Sequence, residues 1–167
     1  MGKNNLIKND KIRFITRAAV IAALYAVLTI SLQPISFGAV QFRISESLTI
    51  LPFIFPEAIP GLFVGCIVSN FFSPNIVILD IVFGSLATLL AAICTYKISV
   101  KWLAPLPPIV FNAVIIGLVI TFSTTGSDGF VSAFAGNALS VGTGEAIVCY
   151  GLGLPLLFAV LSLNNKT

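Results

Sequence analysis

Residues 41–47 read Gln-Phe-Arg-Ile-Ser-Glu-Ser, and long apolar stretches lie on either side of them. An arginine and a glutamate thus stand where the chain is about to re-enter a hydrophobic environment. The helix that follows, about Ser45 to Phe55, is short and carries Pro52 inside it. A hydrocarbon core takes about 20 residues of helix to cross, so this one is not expected to span it alone. The stretch predicts a small polar pocket at one membrane face, roofed by charged and aromatic groups.

Composition supplies the membrane. Of 167 residues, 57% are hydrophobic and 9% charged, and the mean hydropathy is +1.07. A chain so apolar cannot hide its surface in one water-soluble domain of this size. The expectation is an all-α polytopic protein, one integral membrane domain over residues 1–167, with a basic tail at 1–12 and a six-helix bundle over about 13–163. The spans run from about Arg13 to Gln33, Ser45 to Phe55, Glu57 to Phe72, Asn75 to Ile98, Ile109 to Thr124, and through Phe130 to Leu163. The last stretch is too long for one ordinary span. Gly136, Gly142 and Gly144 suggest an irregular or re-entrant piece before a helix from about Leu139. The basic tail and the run Ala18 to Leu32 are read as a retained first span rather than a cleaved signal, because further apolar segments follow.

Net charge is +3, but the basic residues form no nucleic-acid face. Lys3, Lys8, Lys11, Arg13, Arg17, Lys97, Lys101 and Lys166 fall on one side of a six-span topology, and Arg43 stands on the other. The positive-inside rule then places both termini in the cytoplasm and the 41–47 loop outside. Cys66, Cys94 and Cys149 lie in apolar segments without CxxC spacing, and the chain has no histidine. They read as small buried side chains rather than a metal or redox site. Neither a Walker A loop nor a nucleophile paired with a base is present, so energy must come from elsewhere and an intramembrane enzyme has little support.

An ionisable group at the centre of a spanning helix costs on the order of 3 kcal/mol unless it finds a partner or a cavity. Glu46, Asn70, Asp80, Asn137 and Glu145 come from four different spans and are expected at one outward level. Each has a structural alternative: Arg43 can pair with Glu46 three residues on, Asp80 can cap, and Asn70, Asn112 and Asn137 can bridge helices. Glu57, just after Pro56, is read as a cap on its helix. With Phe42, Arg43, Phe71, Phe72 and Tyr150 nearby, the acids suit a flat, donor-rich or cationic solute. A carboxylate accepts two parallel donors and aromatic faces stack on a ring, which fits a purine-like base better than a sugar or an anion. Ala18, Ala22 and Ala26 form a small-residue stripe, and Gly61, Gly65 and Ser69 repeat the spacing; either serves packing within the bundle or contact with another protein.

The segments Val40-Gln-Phe-Arg-Ile-Ser-Glu-Ser-Leu-Thr-Ile-Leu-Pro-Phe and Pro56-Glu-Ala-Ile-Pro-Gly-Leu-Phe-Val-Gly-Cys-Ile-Val-Ser-Asn resemble the QueT family of queuosine-precursor transporters, substrate-binding S components of energy-coupling factor (ECF) importers. The resemblance extends from the alanine stripe through Glu145. It implies capture of a 7-deazaguanine, 7-aminomethyl-7-deazaguanine, from outside the cell membrane. It also implies a transmembrane coupling subunit docked on Ala18, Ala22 and Ala26, and two cytoplasmic ATPases that use ATP and Mg, with no cofactor on this chain. In that frame Glu145 would accept the guanine-like N1 and amino donors and Glu46 or Asp80 would face the aminomethyl cation. Phe42 or Tyr150 would stack on the ring, and Asn70 or Asn137 would meet the carbonyl or pyrrole nitrogen. An S component for another vitamin or base, a self-sufficient small transporter, and a structural membrane subunit stand as rival readings.

Overall fold

The computed structural model describes residues 2–36, 42–73, 78–125 and 129–164, with side chains from Asn9 onward apart from Ile35. Val40 and Gln41 of the family-like segment, the expected start at Asn75 and most of the 125–129 loop lie outside these residues. Among the described residues the chain is helical and has no strand. Helix α1 (Gly2–Ser31) takes in the basic tail as well as the first span, and Pro34 falls in the following short turn α2 (Gln33–Ser36), where a missing N–H does no harm. The next segment, Ile44–Phe53, is a 3-10 helix; α3 covers Ala58–Phe71. A π turn at Asp80–Gly84 runs into α4 (Ser85–Lys97), and a short turn at Lys101–Leu103 leads to α5 (Leu106–Thr124). Helix α6 (Phe130–Val148), a second π turn (Cys149–Gly153) and α7 (Leu154–Asn164) form one continuous rod.

Four segments are long and apolar enough to cross a membrane: Asn9–Ser31, Asp80–Lys97, Lys101–Thr124 and Phe130–Asn164; Ile44–Phe53 and Ala58–Phe71 are shorter. The expected six helical segments are therefore present, and four of them reach spanning length. The re-entrant piece expected before Leu139 is replaced by helix from Phe130 onward, with Gly136 and Gly142 inside it. The irregularity sits instead at Cys149–Gly153. There Gly153 brings its backbone against Ser47, where an added Cβ would stand 3.2 Å from the Ser47 carbonyl oxygen.

The 3-10 helix is the axle of the bundle. Every residue from Ser45 to Pro52 is buried, because α1, α3, α4, α6, α7 and the second π turn all touch it. A segment enclosed on all sides carries no amphipathic stripe, and its polar groups bond locally: Ser47 Oγ donates to the Ile44 carbonyl at 2.7 Å. One apolar cluster joins Ile21, Tyr25, Leu48, Leu51, Leu62 and Cys66; a second joins Ile50, Ala104, Leu154 and Leu157. Outward-facing Val20, Leu24, Val27, Val64, Val68 and Val114 are exposed, as expected of a surface whose solvent is lipid.

Helices α1 and α3 lie backbone to backbone. A Cβ on Gly61 would come within 2.6 Å of the Ala18 carbonyl oxygen, and one on Gly65 within 2.8 Å of that of Ala22. The alanine and glycine stripes thus meet each other, and Ala26 is buried. Glu57 is the N-cap residue of α3 but makes no side-chain capping bond. Its carboxylate accepts from Arg17 Nη1 at 2.7 Å instead, so the expected cap is an ion pair to α1, with the Arg17 guanidinium also over the Phe55 ring.

Candidate functional site

Two features of the local chain carry polar groups into the interior. The 3-10 helix starts inside the bundle, so Arg43 at its N-cap and Glu46 in its first turn are buried. The π turn at Asp80–Gly84 opens the start of α4, and its missing Cβ at Gly84 lets the Asn70 amide approach.

Around these, six polar side chains and a thiol assemble. Arg43 Nη2 donates to Asn70 Oδ1 at 3.2 Å, and Asn70 Nδ2 donates to the Asp80 carbonyl at 3.0 Å. Glu46 Oε1 accepts the Tyr25 hydroxyl from α1. On the far wall, Asn112 Nδ2 of α5 donates to Glu145 Oε1 of α6 at 3.1 Å. The Cys149 thiol links the two walls, lying 3.7 Å from both Glu145 Oε2 and the Glu46 carbonyl oxygen. Glu46 is 0% exposed and Glu145 4%. Burial works against the charge of Arg43, which lies in the loop before the 3-10 helix. Its neighbours Tyr25, Cys66, Glu46 and Glu145 outweigh that effect and hold its pKa above the ordinary arginine value. The interior thus holds one cation and two acids, lined by amides: a set of buried groups able to grip a polar, donor-rich molecule.

Of the residues singled out from sequence, Arg43, Glu46, Asn70 and Glu145 come together. Asp80 contributes its main-chain carbonyl, while its side chain is only half-buried. Phe42 is half-buried beside Arg43 in the chain. Asn137 is elsewhere: it donates to Thr121 Oγ1 at 3.0 Å and ties α6 to α5, about 12 Å along the helix from Glu145 at 1.5 Å per residue. Tyr150 is also elsewhere, exposed, with its hydroxyl donating to the Trp102 carbonyl at 3.2 Å. Its expected depth beside the acids is corrected by the helix turn that points it outward. Asn112 and Tyr25 join the site without having been assigned to it. The signal for Asn112 was an amide inside the long apolar run of α5, and for Tyr25 a phenol within the alanine stripe.

A bundle of apolar helices closed around buried charged and amide groups drawn from separate elements defines a polytopic membrane protein with a polar interior. The QueT transporter family profile matches residues 15–162, and the chain belongs to that family. It is 40% identical over 85 residues to the queuosine precursor transporter QueT of Lactococcus lactis subsp. cremoris (strain MG1363), an alignment covering 50% of this chain and 49% of that protein. The matched region thus spans about half the length of this curated relative. No solved structure matches the chain.

Proposed function

We propose that the chain is the substrate-binding S component of an ECF-type importer and captures a 7-deazaguanine precursor of queuosine, 7-aminomethyl-7-deazaguanine, at the buried cluster. The observation that carries this reading is the meeting of Arg43, Glu46, Asn70 and Glu145, from the 3-10 helix, α3 and α6, in one interior. A guanine-like edge offers two parallel N–H donors, which a carboxylate accepts; Glu145, across from Arg43, takes that edge, and Glu46 takes the aminomethyl cation. Asn70 is placed for the ring carbonyl or pyrrole nitrogen. The name of the Lactococcus relative supports the solute class. Both termini lie in the cytoplasm in this reading and the site is filled from outside.

ATP and Mg are used by partner ATPases, since the chain has no Walker A loop. The coupling subunit docks on the flank of α1. There Ala18 and Ala22, with Phe14, Ile15, Pro60 and Val64, line a shallow apolar groove of about 300 Å³, whereas Ala26 is covered. The test is isothermal titration of the purified chain with 7-aminomethyl-7-deazaguanine. Tight binding is expected, and Glu145→Gln is expected to weaken it about 10- to 100-fold, the worth of a charged hydrogen bond. Unchanged affinity in that variant removes Glu145 from the site, and no binding by the unmodified chain removes the solute.

A further inference from the structure

Asn112 has no part in the assignment above, yet it sits at the centre of the cluster and is 2% exposed. One of the two Nδ2 protons goes to Glu145. Its Oδ1 is buried and has no hydrogen-bond partner among the described residues. Glu46 is in the same condition: Oε1 accepts from Tyr25, and Oε2 is buried without a partner among them. The Asn112 side chain faces Glu46 but completes no bond to Oε2.

With Glu46 ionised, both atoms are acceptors and cannot satisfy each other, so a third group with at least two donors of its own is needed to meet the pair. Charge narrows the choice. Against an ionised Glu46, a donor that carries positive charge is held more strongly than a neutral one. Of the common ligand groups with several donors, a primary ammonium supplies three N–H bonds and that charge on one atom. The Tyr25 hydroxyl holds Oε1 and leaves Oε2 open to another donor.

The geometry points to Asn112 Oδ1 and Glu46 Oε2 as a two-acceptor seat for a primary ammonium arm of the ligand, with Asn112 a specificity-determining residue. The assignment rests on the queuosine-precursor reading and deepens it, because it says which part of the solute the protein selects. The ring can be the same in two solutes and the seat will still separate them by the arm.

The experiment titrates the purified full chain with two compounds that share the ring: 7-aminomethyl-7-deazaguanine, and 7-cyano-7-deazaguanine, whose arm has neither donors nor charge. The aminomethyl compound is expected to bind at least about 30-fold tighter, the scale on which sites built for hydrogen bonding reject an analogue lacking the group. Asn112→Leu should weaken the aminomethyl compound about 10-fold or more beyond what it costs the cyano compound through the lost bond to Glu145. Glu46→Gln, which keeps the side-chain shape and an acceptor for Tyr25, should collapse the preference in the same way, and it serves if the leucine variant does not fold. Equal weakening of both compounds by Asn112→Leu, or a preference untouched by both variants, overturns the seat. Failure of both compounds to bind the unmodified chain is a different result: it overturns the queuosine-precursor reading and takes the seat with it. Binding of both with equal strength overturns the seat alone.

Discussion

Glu57 is 8% exposed at its side chain and Arg17 57%, so the two ends of their 2.7 Å ion pair are not equivalent. Removing the exposed partner strands a nearly buried carboxylate; removing the buried one returns an arginine to water or headgroups. Arg17→Ala is therefore expected to cost about 1–3 kcal/mol, more than Glu57→Gln, which should cost about 1 kcal/mol or less. Thermal unfolding of the two variants in one detergent measures the order, and the reverse order would show that the contact of Arg17 with Phe55 and the fit of Glu57 against α3 have been misjudged. At this scale the sequence is informative about charge and poor about direction. Arg43, Glu46 and Glu145 stood out because lipid forbids them, and they do converge. Asn137 and Tyr150 were placed with them because counting residues along a helix gives height; the angle around the helix axis, which turns Tyr150 toward Trp102 and Asn137 toward Thr121, is set by packing that no local pattern records. Asn112 was discounted for the same reason, since an amide in an apolar helix bridges neighbours more often than it meets a ligand.

At the level of elements, the brevity of the segment after Arg43 was legible from Pro52 and from its length, and the close seam between α1 and α3 from two matching small-residue stripes. What the spacing left open was the partner of those stripes, and the structure gives each to the other. Glycine misled at Gly136: in lipid a helix tolerates it, because neighbouring helices and the absence of water keep the backbone paired. The seam makes a paired prediction. A Cβ at Gly65 would stand 2.8 Å from the Ala22 carbonyl oxygen and 2.9 Å from Tyr25 Cβ, whereas one at Gly136 meets nothing within 4 Å. Gly65→Ala must push α1 off α3 and is expected to destabilise by about 1–3 kcal/mol. Gly136→Ala, in the interior of a helix with open space beside it, should stabilise by about 0.5–1 kcal/mol. Because Tyr25 shares the seam, Gly65→Ala should also weaken solute binding by way of Glu46, and Gly136→Ala should not. Unfolding midpoints and titrations on the same two preparations decide it; a tolerated Gly65→Ala would mean that α1 is held less closely than its carbonyl contacts indicate.

For the molecule as a whole, the question is what moves the solute once it is bound. The site is enclosed, with Glu46, Asn70, Asn112 and Glu145 each less than 5% exposed, and it is assembled from helices that also make the core, so opening it to either face requires separating packed elements. The sequence carries no Walker A nucleotide-binding loop, so in the S-component reading that separation is coupled to an energy source outside the chain. In that reading the chain binds without pumping. Proteoliposomes holding the chain alone should therefore bind the deazaguanine in proportion to protein and show no ATP-dependent accumulation. Adding a coupling subunit and its ATPases should produce uptake that depends on internal ATP and Mg, and a bulky replacement at Ala19, which also lines the α1 groove and is exposed, should diminish that uptake while leaving solute binding largely intact. Concentrative uptake by the chain alone would overturn the S-component reading in favour of a self-sufficient transporter, and the buried acids would then have to be treated as a relay for a coupling ion rather than as a seat for the solute only.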